Sequence, residues 1–203
     1  METQSLKLGF LASGNGSSAR AIIRAVSTGE LIGEARLLVS NMRSSPALAF
    51  ATEAGVTALC IPTQANTQAA DLALAQAMVS HGVELIVLSG YLRQLGAITL
   101  QRYSGKILNI HPGPLPAFGG HGMYGRRVHE AVIAAGLRES GICIHLVDEE
   151  YDRGPVIARR GVEVEPADTA ESLEARITSL EPRFFLETLK QIASGELALP
   201  HGA

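Results

Sequence analysis

The stretch LKLGFLASGNGSSARAIIRAVS, residues 6–27, decides how the beginning of the chain folds. Its apolar run at residues 6–12 predicts a short strand, and the apolar spacing within residues 19–27 predicts a helix with one buried face. The glycines between them let the backbone turn tightly. A strand, a glycine loop and a helix in this order are typical of the first unit of a parallel α/β sheet.

The same alternation of strands and helices continues along the chain. Residues 83–89, VELIVLS, form an almost unbroken apolar run, which is typical of a central parallel strand covered on both faces. The other predicted strands are residues 36–40, 56–61, 106–110, 141–147 and 155–164, and the other predicted helices are 45–55, 64–80, 126–136 and 170–192, the last interrupted at Pro182. We therefore expect an α/β fold in one domain, residues 1–203, with a twisted, mostly parallel sheet flanked by helices on both faces.

Composition narrows the possible functions. The chain has 203 residues, of which 46% are hydrophobic and 18% charged, so it can bury a core and is not a disordered segment. A formal net charge of −3 gives no basic field, which argues against nucleic-acid binding. Cys60 and Cys143 lie in apolar runs and predict buried, reduced thiols. Without a signal segment or an apolar run of membrane-spanning length, we expect a cytoplasmic protein with no membrane partner.

The glycine loop after the first predicted strand is a candidate anion site. Gly16, Ser17 and Ser18 lie at a predicted helix N-terminus, whose partial positive charge and free N–H groups favour a phosphate. A plain helix cap is the alternative. The motif also fits the dinucleotide fingerprint, but the second strand ends at Asn41 instead of the acid that would hold a ribose. Arg43 nearby leaves an NADP-dependent oxidoreductase as a minor alternative.

Asn109 and His111 form a second candidate site. They are two residues apart on a predicted strand, so both side chains face one side at its carboxyl end, where α/β sheets bind ligands. An amide beside an imidazole can polarise a carbonyl group and stabilise an oxyanion. Asp152, in a turn before a later strand, is the carboxylate expected to raise the pKa of His111, although on spacing alone it could equally cap its turn. For His111 itself, a buried histidine bonded to a loop carbonyl is the alternative.

The other polar residues near these segments are assigned structural roles. Asp148, Glu149 and Glu150 are interpreted as a solvated acidic face, and His145, inside an apolar run, as a strand histidine. The histidines lack the spacing of metal ligands, so no metal is expected. The chain also lacks the G-x-S-x-G motif of serine hydrolases and the G-x-x-x-x-G-K-[ST] phosphate loop.

Four segments together resemble the folate-dependent formyltransferases. They are SGNGS at residues 13–17, LSGYLR at 88–93, NIHP at 109–112 with Leu115-Pro116, and DRGPVI at 152–157. The resemblance extends from residue 8 to about residue 189. It implies a Rossmann-like formyltransferase fold, 10-formyltetrahydrofolate as cosubstrate, no metal, and small molecules as partners, and it leaves a homodimer open.

The resemblance also implies an activity and a set of site residues. In the small members of the family that act in purine synthesis, the formyl group passes to the primary amine of glycinamide ribonucleotide. The ribose phosphate would lie on Gly16, Ser17 and Ser18, and the sugar and amine near Thr178 and Glu181. The folate would contact Leu92, Arg93, Gln94, Leu95 and Asn109. The catalytic residues would be Asn109, Asp152, and His111 held protonated by Asp152.

One segment departs from the family pattern. Residues 112–116, PGPLP, stand where Pro-Ser-Leu-Leu-Pro is usual, and the Gly-rich loop at residues 118–129 is a few residues longer. We hypothesise that this loop folds over the substrate, so that ligand would protect it from limited proteolysis.

Two further functions remain as alternatives, in addition to the NADP-dependent oxidoreductase. A hydrolase of the same family would pass the formyl group to water, and that type usually carries an additional N-terminal domain. A non-catalytic nucleotide-binding domain could share the scaffold, although the presence of Asn109, His111 and Asp152 argues against it.

Overall fold

A seven-stranded sheet forms the centre of the protein in the computed structural model, which describes residues 5–64 and 67–200. The strands are β1 (Leu6–Leu11), β2 (Gly33–Ser40), β3 (Thr57–Cys60), β4 (Leu85–Leu88), β5 (Ile107–His111), β6 (Glu139–Leu146) and β7 (Val156–Glu163). Their order is β3-β2-β1-β4-β5-β6-β7, with β1 to β5 parallel and β6 and β7 antiparallel. The predicted α/β fold with a mostly parallel sheet is confirmed.

Six helices in these ranges surround the sheet. They are α1 (Ser17–Ser27), α2 (Pro46–Glu53), α3 (Thr67–Ser80), α4 (Ala97–Arg102), α5 (Arg126–Ala134) and α6 (Ala170–Ser194). The sequence did not predict α4, and α6 continues through Pro182, where we expected an interruption. Residues 65 and 66, near the start of the predicted helix 64–80, lie outside the described residues.

Asp71 on α3 explains why α4 forms. Its carboxylate accepts hydrogen bonds from the backbone N–H groups of Ile98 (2.9 Å) and Thr99 (3.1 Å), which are free donors at the start of a helix. Gly96 permits this approach, because a Cβ atom there would lie 2.2 Å from Asp71 Oδ2. The cap comes from a distant helix, so the local sequence carries no sign of it.

Helix α6 stays continuous because residues on both sides of Pro182 are buried. Ile177 lies before the proline, Phe184 and Phe185 lie after it, and all three pack into the core. A proline inside a helix costs on the order of 3 kcal/mol, whereas full burial of each such side chain contributes about 1.5–3 kcal/mol. Tertiary packing therefore outweighs the local preference for a break.

The strands separate two hydrophobic layers. Leu8 and Phe10 of β1 pack with α1 and α6 on one face, and Leu11 packs with Met78 of α3 on the other. Helices therefore cover both faces, as predicted. The carboxyl ends of the parallel strands meet at one edge of the sheet, where the strand order reverses between β1 and β4 and where such sheets bind ligands. In the described part of the chain, no helix has the length and apolarity needed to span a membrane.

Candidate active site

Three residues predicted as catalytic lie together at the carboxyl end of β5. Asn109 and His111 end the strand, and Asp152 reaches them from the turn before β7. His111 is 3% exposed, and its Nδ1 lies 3.5 Å from Asp152 Oδ2. On the other side of the ring, Nε2–H donates to the Phe118 carbonyl at 2.7 Å. The carboxylate and the loop carbonyl thus fix the imidazole plane from opposite sides.

The pKa of His111 is set by opposing effects. Burial lowers it, while the Asp152 carboxylate and the Phe118 carbonyl raise it, and the net shift is downward. The expected influence of Asp152 is present, but burial outweighs it, so the net shift does not favour the protonated His111 that the sequence analysis expected. For Asp152, burial acts to raise the pKa of the carboxyl. His145, His111 and the Gly120 N–H outweigh burial and bring this pKa below its ordinary value. Asp152 is therefore a carboxylate at neutral pH.

His145 is a member of this cluster that the sequence analysis assigned to structure alone. It lies opposite Asn109 in the antiparallel pairing of β5 with β6. Its Nδ1–H donates to the Leu146 carbonyl at 2.8 Å, and its Nε2 lies 3.1 Å from Asn109 Nδ2 and 3.4 Å from Asp152 Oδ1. In the neutral ring Nε2 accepts from the Asn109 amide, which leaves the second amide hydrogen for another acceptor. The strand register that creates this contact has no signal in the local sequence.

The Gly-rich loop supports Asp152 directly. The Gly120 N–H donates to Asp152 Oδ2 at 3.0 Å. At Gly119 a Cβ atom would lie 2.4 Å from Leu115 Cδ2 and 2.8 Å from Asp152 Cβ, so only glycine permits this packing. Asp152 itself has a φ of 56°, the one positive φ at a non-glycine among the described residues, and such backbone strain clusters at functional sites. The loop and the turn therefore hold the carboxylate in one position.

A cleft of about 590 Å³ brings these residues to α6. Its walls include Asn109, His111 and Asp152 on one side and Thr178 and Glu181 on the other. Residues 120–125 of the Gly-rich loop also line it, so the loop borders the cleft. Closure of this loop over a substrate stays a prediction.

Glu181 faces this cleft without electrostatic compensation. Burial raises the pKa of its carboxyl to about 7, and no cation or hydrogen-bond donor of the described residues opposes that shift. A carboxylate in this position gains from any cation that enters the cleft, because an opposite charge stabilises its ionised form.

A second cleft, of about 310 Å³, adjoins the first at Tyr91, Leu92 and Tyr151. It runs between α3 and residues 91–96, the segment expected to contact folate. The segment is tethered at its start, where the Leu92 N–H donates to Ser13 Oγ at 2.8 Å. Leu92, Arg93 and Gln94 are exposed, and Leu95 is buried in the core behind them.

The glycine loop after β1 lies outside the residues that line either cleft. Gly16 has a φ of 61° and precedes the first turn of α1, so Ser17 and Ser18 occupy the helix N-terminus as predicted. Ser13 Oγ donates to Asn41 Oδ1 at 2.6 Å, so Asn41 supports the loop from within. Phosphate binding by this loop stays a prediction. Among the described residues, no three His, Cys, Asp or Glu side chains are grouped to hold a metal ion.

Paired imidazole and carboxylate groups beside an amide, at the ligand-binding edge of a Rossmann-like sheet, are typical of enzymes that use general acid–base catalysis on a small molecule. The family model for formyl transferases matches residues 6–189. The chain belongs to the formyl transferase family, and the enzyme class predicted from the sequence is confirmed.

Relatives of the chain include phosphoribosylglycinamide formyltransferases, which transfer one-carbon groups. The chain is 37% identical over 194 residues to the chloroplastic enzyme of Arabidopsis thaliana, covering 94% of this chain and 66% of that one. Identity to the Bacillus subtilis enzyme is 36% over 188 residues, 92% of this chain and 94% of the relative. The solved structure of glycinamide ribonucleotide transformylase 1 from Symbiobacterium toebii matches with a TM-score of 0.87 at 32% identity, covering 98% and 92%. The chain thus spans just under two thirds of the plant enzyme and most of the two bacterial chains.

Proposed function

We propose that this protein transfers the formyl group of 10-formyltetrahydrofolate to the primary amine of glycinamide ribonucleotide, giving formylglycinamide ribonucleotide and tetrahydrofolate in purine biosynthesis. The observation that carries this proposal is the cleft in which Asn109, His111 and Asp152 face Thr178 and Glu181. One wall can stabilise a reacting carbonyl group, and the other can receive an amine.

The donor occupies the smaller cleft and the junction between the two clefts. The apolar surface of Leu92, which is 70% exposed, and the neighbouring Tyr91 suit a flat aromatic ring system. From the junction, the formyl group reaches Asn109 at the end of β5. The exposed Arg93 lies on the outer side of this segment and can pair with a carboxylate of the donor.

The amine end of the acceptor occupies the larger cleft, and its phosphate extends to the glycine loop after β1. Glu181 pairs with its ammonium group, because this carboxyl has no competing cation of the protein. Gly16, Ser17 and Ser18 receive the phosphate at the N-terminus of α1, where helix N–H groups and the helix dipole favour an anion.

The reaction begins when the bound ammonium group loses a proton to solvent, and the neutral amine then attacks the formyl carbon. The formyl oxygen becomes an oxyanion, which accepts from the free amide hydrogen of Asn109. His111, whose Nδ1 faces Asp152, keeps that carboxylate beside the reacting atoms. Asp152 takes the proton that the attacking nitrogen loses and passes it to the departing folate nitrogen, so the carboxylate is regenerated. The C–N bond to folate breaks as the new amide forms.

The test is a formyl-transfer assay with 10-formyltetrahydrofolate, followed by the absorbance of the folate product, with and without glycinamide ribonucleotide. Product that depends on the ribonucleotide supports the proposal. Equal product without it would replace the transferase with a hydrolase that uses water. No product from folded protein in either mixture would overturn the proposed pair of substrates.

We also propose that residues 1–203 act as one domain in the cytosol. One continuous sheet runs from residue 6 to residue 163, which supports a single folding unit. Cys60 and Cys143 are free thiols, as a reducing compartment favours.

A further inference from the structure

His129 is a buried polar side chain that the mechanism above does not use. It lies in the first turns of α5, is 1% exposed, and lines the larger cleft. Its Nδ1 is sealed from solvent and has no hydrogen-bond partner among the described residues. Three other buried side-chain atoms share this condition in the described ranges, but Arg36, Thr63 and Ser140 do not line the larger cleft. Buried polar groups are normally paired, so this one calls for a physical explanation.

Helix α5 is held firmly beside the reacting group. At Gly113 a Cβ atom would lie 2.5 Å from Val128 Cγ1 and 3.3 Å from His111 Nε2, so the helix packs directly on the residues that follow β5. His129, the neighbour of Val128, therefore has a fixed position near His111. The opposite wall of the cleft is α6, with Glu174, Thr178 and Glu181.

Burial and the groups around His129 together favour the neutral form of its ring. Burial lowers the pKa of His129, and His111 and Arg126 lower it further, whereas Glu174 on α6 acts in the opposite direction. Glu174 is itself paired with Arg126, whose Nε lies 2.8 Å from Glu174 Oε2. A neutral imidazole has one N–H donor and one acceptor.

The burial of Nδ1 determines which ring nitrogen of His129 can contact a ligand. An unpaired buried acceptor is better tolerated than an unpaired buried N–H group. The proton therefore belongs on Nε2, and Nδ1 keeps its lone pair. Nε2 also has no hydrogen-bond partner among the described residues, so its N–H is the donor that His129 has available for a ligand in the cleft it lines with α6.

We propose that His129 is a further substrate-binding residue, whose Nε2–H donates to the carbonyl oxygen of the glycyl amide in the acceptor. This inference rests on the proposed function. A glycinamide group carries a cationic amine beside a carbonyl oxygen, and the cleft offers carboxylates on α6 and a neutral donor on α5. The two walls thus recognise the two ends of one short group and orient its amine toward the formyl carbon.

The test compares His129→Gln, His129→Asn and His129→Leu with the wild-type enzyme. Glutamine can place an amide N–H near the position of Nε2, whereas asparagine places it near Nδ1. We expect Gln to keep the KM for glycinamide ribonucleotide within about threefold, and Asn and Leu to raise it about five- to tenfold, as loss of one hydrogen bond predicts. The KM for the folate should stay unchanged in all three.

An acceptor analogue with a methylene group in place of the glycyl carbonyl sharpens the test. Wild type and His129→Leu should bind this analogue equally, because the proposed contact is absent from both. His81→Gln is the matched control, since His81 bonds to the Ala77 carbonyl at the end of α3 and lies outside both clefts.

Two results separate the possible failures. Wild-type turnover with glycinamide ribonucleotide, together with an unchanged KM in folded His129→Leu, would overturn this inference and leave the proposed function standing. No binding or turnover of glycinamide ribonucleotide by the wild type would overturn both.

Discussion

The two walls of the larger cleft differ in whether their polar side chains already have partners within the protein. At the end of β5, the side chains of Asn109, His111, His145 and Asp152 all have partners within the protein. On the wall formed by α5 and α6, Glu181 is desolvated without a compensating charge, and neither ring nitrogen of His129 has a hydrogen-bond partner among the described residues.

This difference distinguishes the side chains that stabilise the reacting group from the side chains that recognise the substrate. Groups that stabilise a developing charge work best when they are oriented before the reaction, so the protein itself fixes them. Groups that recognise a substrate discriminate best when the correct ligand alone satisfies them, because a wrong ligand leaves them buried and unpaired. We therefore expect substitutions at the end of β5 to lower kcat, and substitutions on the α5–α6 wall to raise KM for the acceptor.

The largest effect is expected at Asp152. Asp152→Asn removes the charge that faces His111 and His145 and the group that carries the proton, so kcat should fall by about 10²–10⁴. Asp148→Asn is the matched control, because this residue is exposed and its side chain, within the described ranges, accepts a hydrogen bond only from the Glu150 N–H. Steady-state kinetics of the two variants check the prediction, and equal losses would contradict it.

Glu181 should act on the acceptor. In Glu181→Gln we expect KM for glycinamide ribonucleotide to rise about tenfold or more with a much smaller change in kcat, because a charge-assisted contact is worth roughly 1.5–3 kcal/mol.

The pH dependence of the Kd of the wild type for the acceptor, measured without the folate, tests the same contact. The raised pKa of Glu181, about 7, means that its attractive carboxylate forms only as the pH rises through that value. Binding of the cationic acceptor should therefore improve from pH 6 to pH 8 in the wild type. The same improvement in Glu181→Gln would assign the titration to another group.

A smaller loss is expected at Gly119. Gly119→Ala places a methyl group against Leu115 and Asp152, which should separate the Gly120 N–H from the carboxylate. We expect kcat to fall about tenfold, the equivalent of one weakened hydrogen bond to a charged group. Ala117→Ser, at the exposed position just before this loop, should leave kcat unchanged. If both variants match the wild type, the loop does not position Asp152.

The smallest effect on activity is expected at Pro182. Pro182→Ala supplies the backbone N–H that proline lacks, so it should raise the free energy of unfolding by about 1–3 kcal/mol. Acceptor KM should change less than about threefold, since the recognising side chains stay in place. Denaturant unfolding and steady-state kinetics check both parts. A stability below that of the wild type would show that the proline fits the helix better than alanine does.

The sequence was sufficient for the features that depend on local patterns. The strand, glycine loop and helix at the start of the chain, the buried run of β4, and the i, i+2 placement of Asn109 and His111 all appear where the patterns predicted. Their physical causes, hydrophobic periodicity and the geometry of a strand, act within a few residues.

Features that depend on contacts between residues far apart in the sequence were not predicted from the sequence. Helix α4 begins where Asp71 caps it from α3, and α6 passes Pro182 because Phe184 and Phe185 are buried. His145 joins the reacting group only through the antiparallel register of β5 and β6. The pKa of His111 could not be predicted from Asp152 alone, because burial of the ring is set by the whole fold.

The central claim is that the polar side chains at the end of β5 are paired within the protein, whereas those on the α5–α6 wall pair with the bound substrate. The most direct measurement is nitrogen NMR of the protein with ¹⁵N-labelled histidine during titration with glycinamide ribonucleotide, with resonances assigned by single substitutions. We expect the ring nitrogens of His129 to shift on binding and those of His145 to stay nearly constant. A large shift at His145 with none at His129 would contradict the account.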